Sequence, residues 1–413
     1  MNDGLLRGYR ALDFTDGELQ LCGRILGDLG VDVIRVEKPG GDASRLAGPF
    51  YHNQIHPEKS LWWFMLNANK RGVTLNLETK DGLDLARRLV KSADFLIESF
   101  PPGYLGGLGL AYSSLKEINP GLVMTSITPF GQSGPYQDFK ATELTVLALG
   151  GFLYGIGDPD RPPVKPNYPL ARIASAVHAA SATLVANHHQ QATGQGQHVD
   201  VSTQAGAPWF TQHAVFWWQT EHRLLARSGW AFVRRPDLNA RVIWPCKDGH
   251  VLFQIHGGVV GIASNRATVQ WMAEEGFGNE YFHSFDWDHF DLARTSQEQL
   301  TRLEEIVAPF FLSKTTEELA QGSEKRKILL GCIDGINRLS GNPQLASRDF
   351  WQTVRHDELG ASLTYPAFFA LSSAASTRIR RRAPFIGEHN QEVYGGLGLT
   401  EEQLFAYSQA GVV

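Results

Sequence analysis

Cysteine is scarce in these 413 residues. Cys22, Cys246 and Cys332 are odd in number and far apart, which argues against a disulfide framework and a cysteine-built metal site. A reducing cytoplasm fits that usage. Long apolar runs are missing too: no stretch is long enough to cross a bilayer, and the opening MNDGLLRGYRALDF has no apolar signal core. Neither a membrane span nor secretion is expected. Positive charge is not in excess. A formal net charge of -5 provides no basic stripe to neutralise phosphates, so nucleic acid is not an expected partner.

Several catalytic signatures are also absent. The connection after ALDF reads TDGELQLCG, without the G-x-G-x-x-G spacing that brings a backbone onto a pyrophosphate, and this excludes an ordinary nicotinamide or flavin site. No G-x-S-x-G elbow and no H-E-x-x-H pair occurs. His178, His188, His189 and His198 crowd one region without a cysteine partner; they read as solvated histidines, and no metal site is expected.

What is present is a globular composition, 43% hydrophobic and 20% charged, enough for a sizeable core and two domains. The first hundred residues alternate strand and helix signals: YRALDF, ELQLCGRILGDLG, VDVIRVE, GVTLNLE, KDGLDLARRLVKSA and DFLIESF. Strands separated by amphipathic helices predict an α/β protein with a mostly parallel sheet. A strand in LVMTSITPFG, a helix in ATELTVLALGGFLYG and a strand QHVDVS follow. From about Trp209 the texture changes to aromatic clusters, a hairpin-like VIWPCKDGHVLFQIHGG and Glu/Gln-rich helices, which suggests a separate, smaller domain. The aromatic segments near Trp62 and Trp217 read as core or interface. The run Arg378, Arg380, Arg381 and Arg382 reads as a solvated face, with a phosphate grip as the sharper alternative. Thr400, ahead of Glu401 and Glu402, caps a last helix.

One residue is out of place. After Pro169 the segment LARIASAVHAASATLVANHH is helical, with Leu170, Ile173, Val177, Ala180 and Leu184 at three- and four-residue spacing. Arg172 falls in its first turn, where the helix dipole favours a carboxylate and disfavours a guanidinium. Something negative must offset it. The expected source is a partner subunit's carboxylate or an anionic group in the site; the bland alternative is a side chain reaching into water.

Six stretches, in order along the chain, give a resemblance: LGDLGVDVIRVEKPGGD, NANKRGVTLNLET, DFLIESFPPGYLGGLGL, INPGLVMTSITPFGQSGPYQDFK, TGQGQHVDVS and PFIGEHNQEVYGGLGL. Together they resemble the class III CoA-transferase family, which includes formyl-CoA and carnitine CoA-transferases and the α-methylacyl-CoA racemases. The resemblance implies a Rossmann-like large domain built from both chain ends (1-210 and 326-413), a small α+β domain between them (211-325), and a dimer interlocked like linked rings. It implies a coenzyme A thioester as substrate and no permanently bound cofactor. In the family an aspartate takes the acyl group as a mixed anhydride, and CoA returns to form an enzyme-linked thioester.

That aspartate follows an x-P-x-A pattern, and YPLAR places Arg172 at its position. A guanidinium has no lone pair to offer, so no catalytic nucleophile is assigned here. The family's supporting acid corresponds to Glu143, although its usual preceding tyrosine is Thr142. Lys38, Val73, Leu75, Ser99, Phe100 and Lys140 match the coenzyme A contacts, with Ser99 replacing an asparagine and Gly107 replacing an arginine. The racemase acid/base pair would fall on Thr142 and Arg172, which cannot shuttle a proton at neutral pH.

The pattern is most similar to the succinyl-CoA:benzylsuccinate type of transferase, whose complex pairs two related subunits. The implied role is a non-nucleophilic subunit, with the aspartate on a homologous partner chain, moving CoA from succinyl-CoA to an acid such as benzylsuccinate. Two alternatives stay open: a homo-oligomeric CoA-ester lyase or hydrolase using Glu143, and a CoA-ester-binding structural partner without turnover.

Overall fold

The computed structural model describes residues 4–235 and 237–413. The chain divides into two compact units. One comprises the described part of Met1–Phe152 with Lys165–Phe216 and Asn342–Val413; the other comprises Leu153–Val164 and Trp217–Gly341.

The first unit is built on a six-stranded parallel sheet of β1 (Arg10–Phe14), β2 (Asp32–Glu37), β3 (Lys70–Thr74), β4 (Phe95–Glu98), β5 (Val123–Thr128) and β6 (Gln197–Ser202). The strand order is β3-β2-β1-β4-β5-β6. All five pairings are parallel, and β4 and β5 are buried along their whole lengths, as expected of strands covered on both faces. Its helices up to Thr193 are α1 (Leu21–Asp28), α2 (Leu61–Asn67), α3 (Lys80–Lys91), α4 (Tyr104–Gly107), α5 (Tyr112–Ile118), α6 (Glu143–Leu149) and α7 (Leu170–Thr193). The predicted third strand GVTLNLE stops at Thr74, and Leu75–Glu78 turns away to line a cavity.

Alternate residues of each strand feed two cores. Leu12, Ile34, Val73, Leu96 and Met124 pack with Leu85 and Leu89 of α3 and Leu115 of α5. Ala11, Val33, Phe95, Ile97 and Val123 pack with Cys22, Ile25 and Leu26 of α1 and the alanines of α7. The helix α3 forms because Thr79 caps it, accepting from the Gly82 N–H at 3.0 Å, while Asp81 and the pair Arg88 and Lys91 complement its dipole. Its buried residues Leu85, Ala86, Leu89 and Val90 form one stripe. The C-terminal segment returns to this face, where the Tyr394 hydroxyl donates to the Thr74 carbonyl at 2.7 Å.

Of the stripe that spacing predicts, Leu170, Ile173, Val177, Ala180 and Leu184, only Ala180 lies fully on the buried side of α7. That side is Ala171, Ser175, Ala176, Ala179, Ala180, Thr183 and Ala186, while Val177 is exposed and Leu184 half-buried. Small side chains let the helix axis lie close to α1 and the sheet, and the larger residues turn outward. A similar close approach occurs at α1. Lys70 donates to Asp13 at 2.8 Å with both side chains fully buried, and Gly23 sits over the pair. A Cβ there would stand 2.3 Å from Asp13 Oδ2. Burial lowers Lys70 to about 8. Gly23→Ala is expected to cost about 1–3 kcal/mol by overpacking, read as a lowered denaturation midpoint with an unchanged far-UV spectrum.

The second unit holds a three-stranded antiparallel sheet in the order Leu330–Ile333, Gly249–Phe253, Ile243–Cys246, and the last two strands form the predicted hairpin. Trp244, Phe253, Phe310 and Phe311 form its aromatic core with edge-to-face and tilted contacts. Among the described residues no helix is long and apolar enough to cross a membrane.

Candidate functional site

In an open parallel sheet the crevice lies beyond the carboxyl ends of the strands, where the strand order reverses. Here β1 and β4 are those neighbours. A cavity of about 670 Å³ sits beyond them, lined by Phe14, Asp16, Lys38, Leu75, Ser99 and Phe100 among others. They end or follow β1, β2, β3 and β4, so four separate segments converge through the sheet alone.

Of the coenzyme A contacts expected from the sequence, Lys38, Leu75, Ser99 and Phe100 therefore meet at one cavity. Val73 does not: it is fully buried in the core below, so its side chain cannot reach a ligand. Lys140 is exposed on the segment before α6 and is not among the lining residues. Phe100 is fixed by stacking on Tyr104, 4.7 Å between centroids. The Ser99 hydroxyl donates to Asp16 Oδ1 at 2.8 Å and accepts from the Asp16 N–H at 2.9 Å.

Asp16 connects the cavity to Arg172. The Arg172 guanidinium donates through Nε to Glu18 at 2.7 Å, and through one terminal nitrogen to the Asp16 carboxylate and carbonyl, both at 3.0 Å. The offsetting charge thus comes from this chain's own carboxylates, just after β1. Asp16, which lines the cavity, is an anionic group of the site, as one of the two expectations had it; the water-reaching alternative is corrected, since the side chain is only 26% exposed. Neither carboxylate stood out in the sequence. The signal was the acidic TDGEL stretch at a strand's carboxyl end, but Arg172 lies 154 residues from Glu18.

Glu143 caps the helix start from outside. Its Oε1 accepts from the Ala171 N–H at 2.8 Å and its Oε2 from the Arg172 N–H at 3.2 Å. These are two of the donors an α-helix leaves unpaired, here met by a charged acceptor favoured by the dipole. Thr142 caps α6 itself, which aims Glu143 at α7. Both carboxylate oxygens being engaged, Glu143 is a structural cap in this conformation. Glu143→Ala is expected to cost about 1–2 kcal/mol and Glu143→Gln, which keeps one acceptor, less; thermal unfolding of the two variants side by side checks the order.

The remaining sequence candidates resolve as structure. His198 bonds Ser126 at 2.8 Å, and among the described residues no group of three or more His, Cys, Asp or Glu is placed to hold a metal ion. Asn69 bonds the Arg378 carbonyl and the Arg380 and Arg381 N–H groups, holding the arginine segment against the sheet. Arg382 pairs with Glu388 at 2.8 Å.

The chain matches the family model described as CoA-transferase family III over residues 6–390. It is 36% identical over 391 residues to the succinyl-CoA:(R)-benzylsuccinate CoA-transferase subunit BbsE of Thauera aromatica, covering 93% of this chain and 92% of that protein. It is 29% identical to the succinyl-CoA–D-citramalate CoA-transferase of Chloroflexus aurantiacus, covering 93% and 91%. A solved CAIB/BAIF family protein from Brucella suis has the same fold, with a TM-score of 0.80 at 25% identity over 96% of this chain and all of that one. A parallel sheet whose switch point opens on a crevice of this kind, read together with a family match along almost the whole chain, leaves one assignment: the protein belongs to CoA-transferase family III, whose substrates are coenzyme A thioesters.

Proposed function

We propose that this chain is the non-nucleophilic subunit of a heteromeric CoA-transferase. It moves CoA from an acyl-CoA, succinyl-CoA by the parallel with BbsE, to a carboxylic acid of the aryl-succinate kind. The acyl-accepting aspartate is supplied by a homologous partner chain in the same cytoplasm, the two interlocked as rings. The observation that carries this reading is the Arg172 clamp. A guanidinium tied to Glu18 and Asp16 occupies the first turn of α7, and it can neither attack a thioester nor hold an acyl group.

The surface supports a partner. The helix Gln212–Glu221 buries none of its side chains, and Trp209 and Phe216 are each more than half exposed. Aromatic residues with few charges among them are the composition of a covered interface core. The homo-oligomeric lyase or hydrolase reading is weaker, because Glu143 has both oxygens committed to α7.

Affinity isolation of the tagged chain from its native host tests the reading. A second chain of similar size with an aspartate at the matching helix start is expected. A sole chain that turns over CoA esters would overturn it.

A further inference from the structure

We propose that Glu98 is a positioning residue for the coenzyme A cavity, its buried carboxylate holding the turn after β4 in the shape that presents Ser99 and Phe100. This inference rests on the cavity's being the coenzyme A site. Glu98 ends β4 and is 3% exposed. The register sets it level with Phe14 on β1 and Ser126 on β5, and Ser126 level with Asp200 on β6. Side chains level with one another in a sheet point to the same face, so the four form a row beneath the mouth of the crevice.

Glu98 Oε2 accepts from the Phe100 N–H at 2.7 Å. That bond closes the turn whose Ser99 hydroxyl then reaches Asp16 and whose Phe100 ring lies between Phe14 and Tyr104. On its other side Glu98 stands level with Ser126, whose hydroxyl meets His198 Nε2 at 2.8 Å. His198 in turn stacks on Tyr112. Among the described residues no lysine or arginine pairs with Glu98. The titratable groups about it are Asp200, His198 and Tyr112. Glu98 therefore differs from Glu37, which is equally buried but answered by Arg45 at 2.7 Å.

An amide would also accept from the Phe100 N–H, as a neutral and weaker acceptor. What the acid adds is titration: burial, with Asp200 beside it, pushes Glu98 up to about 7. The ionised form is the stronger acceptor for Phe100. As pH falls through that value the carboxylate takes up a proton, the bond weakens, and the turn loosens. His198, lowered by burial, is neutral over the upper part of this range and keeps its bond to the Ser126 hydroxyl.

The test is calorimetric titration of CoA into the full chain, alone and with its partner, for wild type, Glu98→Gln and Glu98→Ala. Between about pH 8 and about pH 6 the wild type is expected to lose about fivefold more affinity than Glu98→Gln, and Glu98→Ala, which also cannot titrate, to bind about tenfold more weakly than wild type at the higher pH and only about twofold more weakly at the lower. The 3′-phosphate of CoA titrates in the same range, but equally for every variant, so the difference isolates Glu98. Equal pH dependence in wild type and Glu98→Gln overturns the proposal.

Absence of CoA binding by wild type at either pH would sink the coenzyme A reading of the cavity. The hold on the turn is then judged by hydrogen exchange of the peptide 99–107. Protection there should fall in Glu98→Ala and be rescued in Glu98→Gln; unchanged protection in Glu98→Ala rejects the positioning role as well.

Discussion

Purified alone and given succinyl-CoA with benzylsuccinate, the chain is expected to transfer no measurable CoA, and to gain at least about 10⁴-fold on addition of the proposed aspartate-bearing partner. The reason is the electron bookkeeping of acyl transfer. A carboxylate oxygen must attack the thioester carbon, the C–S bond must break, and the thiolate must leave while the anhydride persists long enough for CoA to return. Nothing in the first turn of α7 can do this. The guanidinium has no free electron pair, and the carboxylates beside it are already engaged: Glu18 and Asp16 by Arg172, Glu143 by two backbone N–H groups. Hydroxylamine trapping in the reconstituted complex should label the partner alone. Label on this chain, most tellingly on Asp16, which lines the cavity with its carboxylate partly open to solvent, would mean that the nucleophile has moved to the end of β1.

The sheet was legible because short β-branched and apolar runs such as VDVIRVE and DFLIESF alternate with amphipathic helical segments, whereas the burial of Arg35, Glu37 and Glu98 within those runs was not. The α7 stripe was misread for a physical reason. Periodicity marks where large apolar side chains recur, but a helix packed closely on a sheet buries its smallest residues, and only the neighbours' proximity reveals it. The Arg172 clamp was half legible. A cation at a helix start demands an anion, yet which anion depends on a contact spanning the whole unit, fixed when β1 and α7 meet at the sheet's carboxyl edge. Val73 and Leu75 belong to one segment and one core, yet only Leu75, past the end of β3, also borders the cavity.

Arg172→Asp, the change that gives α7 the family's own residue, is expected to lower stability by about 2–4 kcal/mol and to restore no activity. The wild-type side chain is about a quarter exposed and so is Glu18, so the loss lies below that of breaking a fully buried pair and above that of a surface one. Two carboxylates lose their cation and a third is placed beside them, with Glu143 facing the same turn. The helix dipole returns only about 0.3–1 kcal/mol of this to the introduced carboxylate. Like charges at such range raise carboxyl pKa values, so the introduced carboxylate sits in a repulsive site instead of one built to hold it. Ser99, no longer sharing Asp16 with the guanidinium, is freer to turn away from the cavity. Adding Asp16→Asn and Glu18→Gln removes the repulsion and should recover most of the lost stability, which separates charge from shape. Melting curves of the single and triple variants, with hydroxylamine trapping on each chain of the complex, read both effects together. If Arg172→Asp alone became acylated and turned over at the partner's rate, the carboxylates around α7 would have to be compatible with a nucleophile there, and the clamp would be an incidental pairing instead of the feature that divides the labour between two chains.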